Sequence, residues 1–88
     1  MVTRELEIKN VLGLHARAAA KFVRCAGQFS CRVTIGQGDL RVDGKSIMGV
    51  LLLAAPKGSL LEVVADGDDE DAAIDAIAKL IDDKFGED

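Results

Sequence analysis

The residues with the clearest chemical capacity stand together in Gly13-Leu14-His15-Ala16-Arg17, where the only histidine of the chain falls between a loop pattern and a helical one. The first amide N–H groups of a helix have no partners within it, and the aligned peptide dipoles make that end positive. An anion placed there meets donors. A neutral imidazole nitrogen is a nucleophile toward phosphorus near pH 7, so a phosphoryl group carried on His15 would be received by this helix start. Arg17 adds a planar cation within reach. The same residues also have a plain reading, in which His15 merely caps the helix and Arg17 is a solvated surface charge.

A second stretch of interest is Gly44-Lys45-Ser46-Ile47-Met48-Gly49. Ser46 precedes the apolar run Ile47 to Leu53, which is short enough for a strand, but serine is a good helix N-cap and Gly44 a natural break, so a short helix is expected. Serine at that position needs no functional role, and Ile47, Met48 and Leu51 are more often core than interface. A helix this short nevertheless cannot bury every apolar residue it carries, so some should face solvent.

The elements that must position these residues follow from periodicity. Val2, Leu6 and Ile8 alternate with Thr3, Glu5, Glu7 and Lys9, as in a half-buried strand. From Ala16 to Ala26 the residues Ala19, Phe22, Val23 and Ala26 recur at helical spacing, with Gly27 as C-terminal cap. Cys31, Val33 and Ile35, the turn residues Gly36 to Asp39, and then Leu40 and Val42 read as a hairpin ending at Asp43. After the turn Pro56-Lys57-Gly58, the segment Leu60 to Ala65 reads as a strand covered on both faces or lying centrally. Asp68 to Asp71 load acid into the first turn of a helix whose stripe is Ala73, Ile74, Ile77, Leu80 and Ile81 and whose last turn holds Lys84 before Gly86. The order βαββαβα packs as an α+β fold, with helices on one face of a mainly antiparallel four-stranded sheet.

Composition narrows the function classes. A chain of 88 residues that is 49% hydrophobic along its whole length fits one domain spanning 1–88. A net charge of -4 and the lack of Trp and Tyr leave neither the cationic field nor the stacking aromatics of a nucleic-acid binder. Met1 to Asn10 does not pattern as a secretory signal, and the longest apolar candidate, Val50 to Pro56, is far short of the roughly 20 residues of a membrane span, so a cytoplasmic protein without membrane insertion is expected. Cys25 and Cys31, with one histidine, make neither a disulfide framework nor a zinc site and read as reduced thiols.

The two stretches Gly13-Leu14-His15-Ala16-Arg17 and Gly44-Lys45-Ser46-Ile47-Met48-Gly49 together resemble HPr, the histidine-containing phosphocarrier family of the bacterial phosphoenolpyruvate-dependent sugar phosphotransferase system. The similarity extends over essentially the whole chain, including the glycine after the first helix, the Lys57-Gly58 turn and the acidic start of the last helix. It implies an open-faced β-sandwich and a stoichiometric carrier rather than an enzyme. Enzyme I would phosphorylate His15 at Nδ1, and His15 would pass the group to enzyme IIA domains, with Arg17 and the Ala16 and Arg17 backbone amides steadying the phosphoryl oxygens. Ser46 matches the site of HPr kinase/phosphorylase, and Ala20, Lys21, Arg24, Ile47, Met48 and Leu51 match the partner-docking surface. No metal or organic cofactor is implied, and a monomer is.

The clearest departure from the family pattern is Ala18, where proline is usual inside the first helical turn. Alanine leaves one more N–H near the site and costs about 0.4–1 kcal/mol through a looser unfolded chain. The family surface is also more basic than this one, whose candidates are Arg17, Lys21, Arg24 and Lys45. Two other roles fit the same residues: a nitrogen-regulatory relay with the same chemistry, and a regulatory module that uses only the Ser46 face to bind a kinase or transcription factor. His15 argues against the latter.

Overall fold

The computed structural model describes residues 1–87. Strand β1 (Val2–Glu7) leads to helix α1 (Ala16–Ala26), the hairpin of β2 (Arg32–Gln37) and β3 (Leu40–Asp43), helix α2 (Ile47–Leu52), strand β4 (Leu60–Asp66) and helix α3 (Glu70–Asp82), followed by a 3₁₀ turn at Lys84–Gly86. The strands form one sheet in the order β1-β4-β2-β3, and every neighbouring pair is antiparallel. The α+β order expected from periodicity is the order observed.

Alternation along the strands builds the covered face. Leu6 and Ile8, Val33 and Ile35, and Leu61, Val63 and Ala65 are buried in one cluster with Ala18, Ala19, Phe22 and Ala26 of α1 and Ala73, Ile74, Ile77 and Ile81 of α3. Each large side chain so buried contributes about 1.5–3 kcal/mol before conformational entropy is counted. β4 is dense in apolar residues because it lies centrally, between β1 and β2; it is not covered on both sides, since Leu60 is exposed and Glu62 and Val64 are only half-buried.

Local chemistry differs from the sequence pattern at four points. The hairpin turn is shorter than Gly36 to Asp39: Gln37 pairs with Leu40, and Gly38, at φ +60°, is the first of two turn residues. Gly36 is a strand residue crossed by the Arg41 side chain, whose Nη2 reaches Glu62 Oε1 at 2.6 Å. Gly27 does end α1, but in the right-handed region at φ -67°, and its lack of a Cβ spares a 3.1 Å approach to the Val23 carbonyl oxygen.

The third difference is the end of α3, which stops at Asp82, short of Lys84. Lys84 and Phe85 adopt left-handed backbone, φ 57° and 55°, and the resulting reversal carries Phe85 fully into the core. The conformation costs an L-residue roughly 1–2 kcal/mol, which ring burial offsets. The fourth is the acidic cluster, because Asp69 makes no side-chain cap to α3. Its carboxylate accepts from the Ser30 amide at 2.8 Å and the Cys31 amide at 2.9 Å, tying the α1–β2 loop to the start of α3. Those bonds, Ser30 first, hold the Asp69 carboxyl below the ordinary carboxylate range.

Candidate functional site

The loop between β1 and α1 is fixed before it reaches His15. The Leu14 amide donates to the Ala55 carbonyl at 2.8 Å, and the Leu14 side chain is buried. Gly13 makes this approach possible: its φ is +70°, and a Cβ there would lie 2.6 Å from the Ala55 carbonyl oxygen and 2.9 Å from Pro56 Cα. His15 then arrives as the N-cap of α1, with extended backbone and with its carbonyl accepting from the Ala19 amide at 2.8 Å. Among the described residues, the amides of Ala16, Arg17 and Ala18 donate to no acceptor. The helix start is therefore open to an anion, and the Ala18 N–H is one that a proline could lack without loss.

The imidazole has a partner that no local pattern pointed to. His15 Nε2 lies 2.9 Å from Glu87 Oε1 and 3.0 Å from Glu87 Oε2. The fully buried Asn10 donates through Nδ2 to both the Gly13 carbonyl and Glu87 Oε1, each at 2.7 Å, while its Oδ1 is buried without a partner. Turning the amide over would set its oxygen against two oxygens, so the donors must point this way. The Asn10 amide, and next the His15 ring, hold the Glu87 carboxyl below the ordinary range. A sequence signal for Asn10 existed, since it continues the even-numbered inward parity of Leu6 and Ile8; Glu87 had none, being distant along the chain.

Arg17 is exposed and lines, with Val11, Leu12 and Glu87, a cleft of about 340 Å³ beside His15. Val11 and Leu12 are exposed apolar residues that the sequence pattern did not single out. Of the other expected cations, Arg24 is exposed, whereas Lys21 donates to the Phe85 carbonyl at 2.6 Å and Lys45 to the Phe29 carbonyl at 2.7 Å. Two of the four charges around the site are thus committed to the chain itself. Ala20 is half-buried on α1.

On α2, the Ser46 hydroxyl accepts from the Gly49 amide at 3.1 Å, making the expected cap. Ile47 and Met48 are exposed, Leu51 packs partly against the core, and Leu52 is the further apolar residue facing solvent. Cys25 and Cys31 are free thiols, both pushed up by burial, which disfavours the reactive thiolate. No helix among the described residues is long and apolar enough to cross a membrane.

An antiparallel sheet covered on one side by helices thus presents a lone histidine at an open helix start, the frame of a small α+β domain. Comparison with known proteins gives the family: the family model "PTS HPr component phosphorylation site" matches residues 2–83. The chain is 51% identical over 88 residues to the phosphocarrier protein HPr of Pseudomonas putida and 49% identical over 87 residues to that of Neisseria meningitidis, each match covering 99% of this chain and 98% of the relative. The crystal structure of HPr-C-His from Thermoanaerobacter tengcongensis superposes with a TM-score of 0.96 at 44% identity, covering 100% of this chain and 99% of that one. The chain belongs to the HPr family of phosphocarrier proteins.

Proposed function

We propose that the protein accepts a phosphoryl group on His15 from phosphorylated enzyme I and passes it to enzyme IIA domains, in the cytoplasm and as a single copy. The observation that carries this reading is the open N-terminus of α1, where three unpaired amides and the exposed Arg17 stand beside the imidazole. At a loose phosphoryl-transfer transition state the charge spreads over the equatorial oxygens, so fixed donors and one guanidinium supply what the step needs: position and neutralisation. The partner surface is then the exposed part of α2, Ile47 and Met48, together with Arg24 and the half-buried edge of α1.

Ser46 phosphorylation is the regulatory part of the same proposal. Its hydroxyl already faces the first turn of α2, so a phosphate there is compatible with the helix and acts by placing negative charge beside Ile47 and Met48. The test of the carrier role is incubation with enzyme I and labelled phosphoenolpyruvate, for wild type and His15→Ala, followed by acid and by base. Label that survives base, is lost in acid and never appears on the variant supports the relay. An unlabelled wild type beside active enzyme I would reject it and leave the Ser46 surface as the working part.

A further inference from the structure

The segment after α3 is built to deliver one side chain. Phe85 is fully buried, the left-handed Lys84 and Phe85 reverse the chain, and Lys21 holds the Phe85 carbonyl at 2.6 Å. These anchors bring Glu87 onto His15 Nε2 with both carboxylate oxygens in range, and Asn10 secures the carboxylate from behind. Asn10 itself is kept although its Oδ1 goes unpaired, a cost that proteins seldom tolerate without a return elsewhere.

An ionised carboxylate can only accept hydrogen bonds, so the ring nitrogen facing it must carry the hydrogen. The lone pair then lies on Nδ1, which has no partner among the described residues. Resting on the carrier reading above, we propose that Glu87 is a positioning residue for His15: it fixes the Nε2–H tautomer, leaves Nδ1 as the nucleophile, and balances the positive charge that the ring gains on phosphorylation.

The Nδ1 lone pair forms the new N–P bond while the bond from phosphorus to the donor's own atom breaks, and that atom keeps the electron pair. Nε2 keeps its proton throughout, so the His15 ring passes from neutral to cationic with the charge facing Glu87. In onward transfer the retained proton lets the ring depart as neutral imidazole instead of an imidazolate anion. The arrangement parallels the carboxylate that orients a histidine in hydrolase triads.

Glu87→Gln and Glu87→Ala separate the two roles. Gln keeps a carbonyl oxygen for Nε2–H but loses the charge, whereas Ala loses both. Ring nitrogen NMR on the unphosphorylated full chain should show the Nε2–H tautomer in wild type and Glu87→Gln and a mixture in Glu87→Ala. Phosphorylation by enzyme I should slow by about tenfold in Glu87→Gln, the size of one charge-assisted hydrogen bond felt only once the ring is cationic, and further in Glu87→Ala. A wild-type ring protonated on Nδ1, or variants that accept phosphate at the wild-type rate, would overturn the assignment. Failure of wild type to be labelled at all would instead remove the carrier reading, and the tautomer measurement distinguishes the two because it needs no transfer.

Discussion

Gly13→Ala tests whether the packing of two loops sets the position of His15. At Gly38, where φ is +60° and no atom lies within 4 Å of the place a Cβ would take, alanine meets only the backbone penalty. That penalty is roughly 1–2 kcal/mol, offset by about 0.4–1 kcal/mol from the stiffer unfolded chain, for a net of about 1 kcal/mol. At Gly13, φ is similar at +70°, but the Cβ would stand 2.6 Å from the Ala55 carbonyl oxygen and 2.9 Å from Pro56 Cα, both backbone atoms with little room to yield. Overpacking of this kind adds about 1–3 kcal/mol, so Gly13→Ala should lose about 2–4 kcal/mol. For a domain of this size that lowers Tm by roughly 10–25 °C, against about 4–8 °C for Gly38→Ala. Urea titrations and thermal melts of both variants give the stability difference directly. Because the Ala55 carbonyl also holds the Leu14 amide beside His15, phosphorylation by enzyme I at a temperature where both remain folded should fall on the order of a hundredfold for Gly13→Ala alone. Equal stability losses in the two variants, or an unchanged transfer rate, would refute the claim that this contact places the histidine.

Phe85→Ala should cost about 3–5 kcal/mol by cavity formation, read from the urea midpoint, and should also release the Nε2–H tautomer as Glu87→Ala does. Ser46→Ala should cost about 1 kcal/mol, while Ser46→Asp, another good N-cap, should leave the midpoint nearly unchanged. Asp69 and Glu87 both titrate below their ordinary values when folded, Asp69 chiefly through the Ser30 amide and Glu87 chiefly through the Asn10 amide. Carboxylates depressed in this way stabilise the fold above their unfolded pKa of about 4, and that stability is lost as pH falls through the folded values. The urea midpoint should therefore drop between pH 5 and pH 2 (roughly), and the drop should shrink in Asp69→Asn.

Much of the fold was legible because its cues are local. The alternation of Leu6 and Ile8, the stripe of α3 and the cap of Ser46 each depend on residues a few positions apart, and a strand, a helix and a capped helix formed there, although β1 ends at Glu7 and α3 at Asp82. The misread places are those where a distant partner decides. Gly36 has the look of a turn residue, yet its small size serves the Arg41 to Glu62 ion pair. Lys84 fits the last turn of α3 by spacing, but burial of Phe85 reverses the backbone there. At the site, His15 and its helix start could be read from the sequence; Asn10 and Glu87 could not be joined to it, since their meeting depends on tertiary closure. Lys21 and Lys45 looked like free surface charge for the same reason.

The pairing of β1 with β4 sets a timetable as well as a topology. Val2 meets Ala65 and Glu7 meets Leu60, so the first strand has no partner until most of the chain exists. At about 5–20 residues per second on a ribosome, that is a wait of several seconds, during which the Leu6 and Ile8 face is unsatisfied. Contacts so far apart in sequence are also slow to close in a refolding chain, because loop entropy is lost before the pairing repays it. The β2–β3 hairpin pairs residues close in sequence, whereas β1 and the segment bearing Glu87 depend on partners far along the chain. Newly made chains would thus pass through a stage in which the histidine-bearing helix has formed and its carboxylate partner has not yet docked.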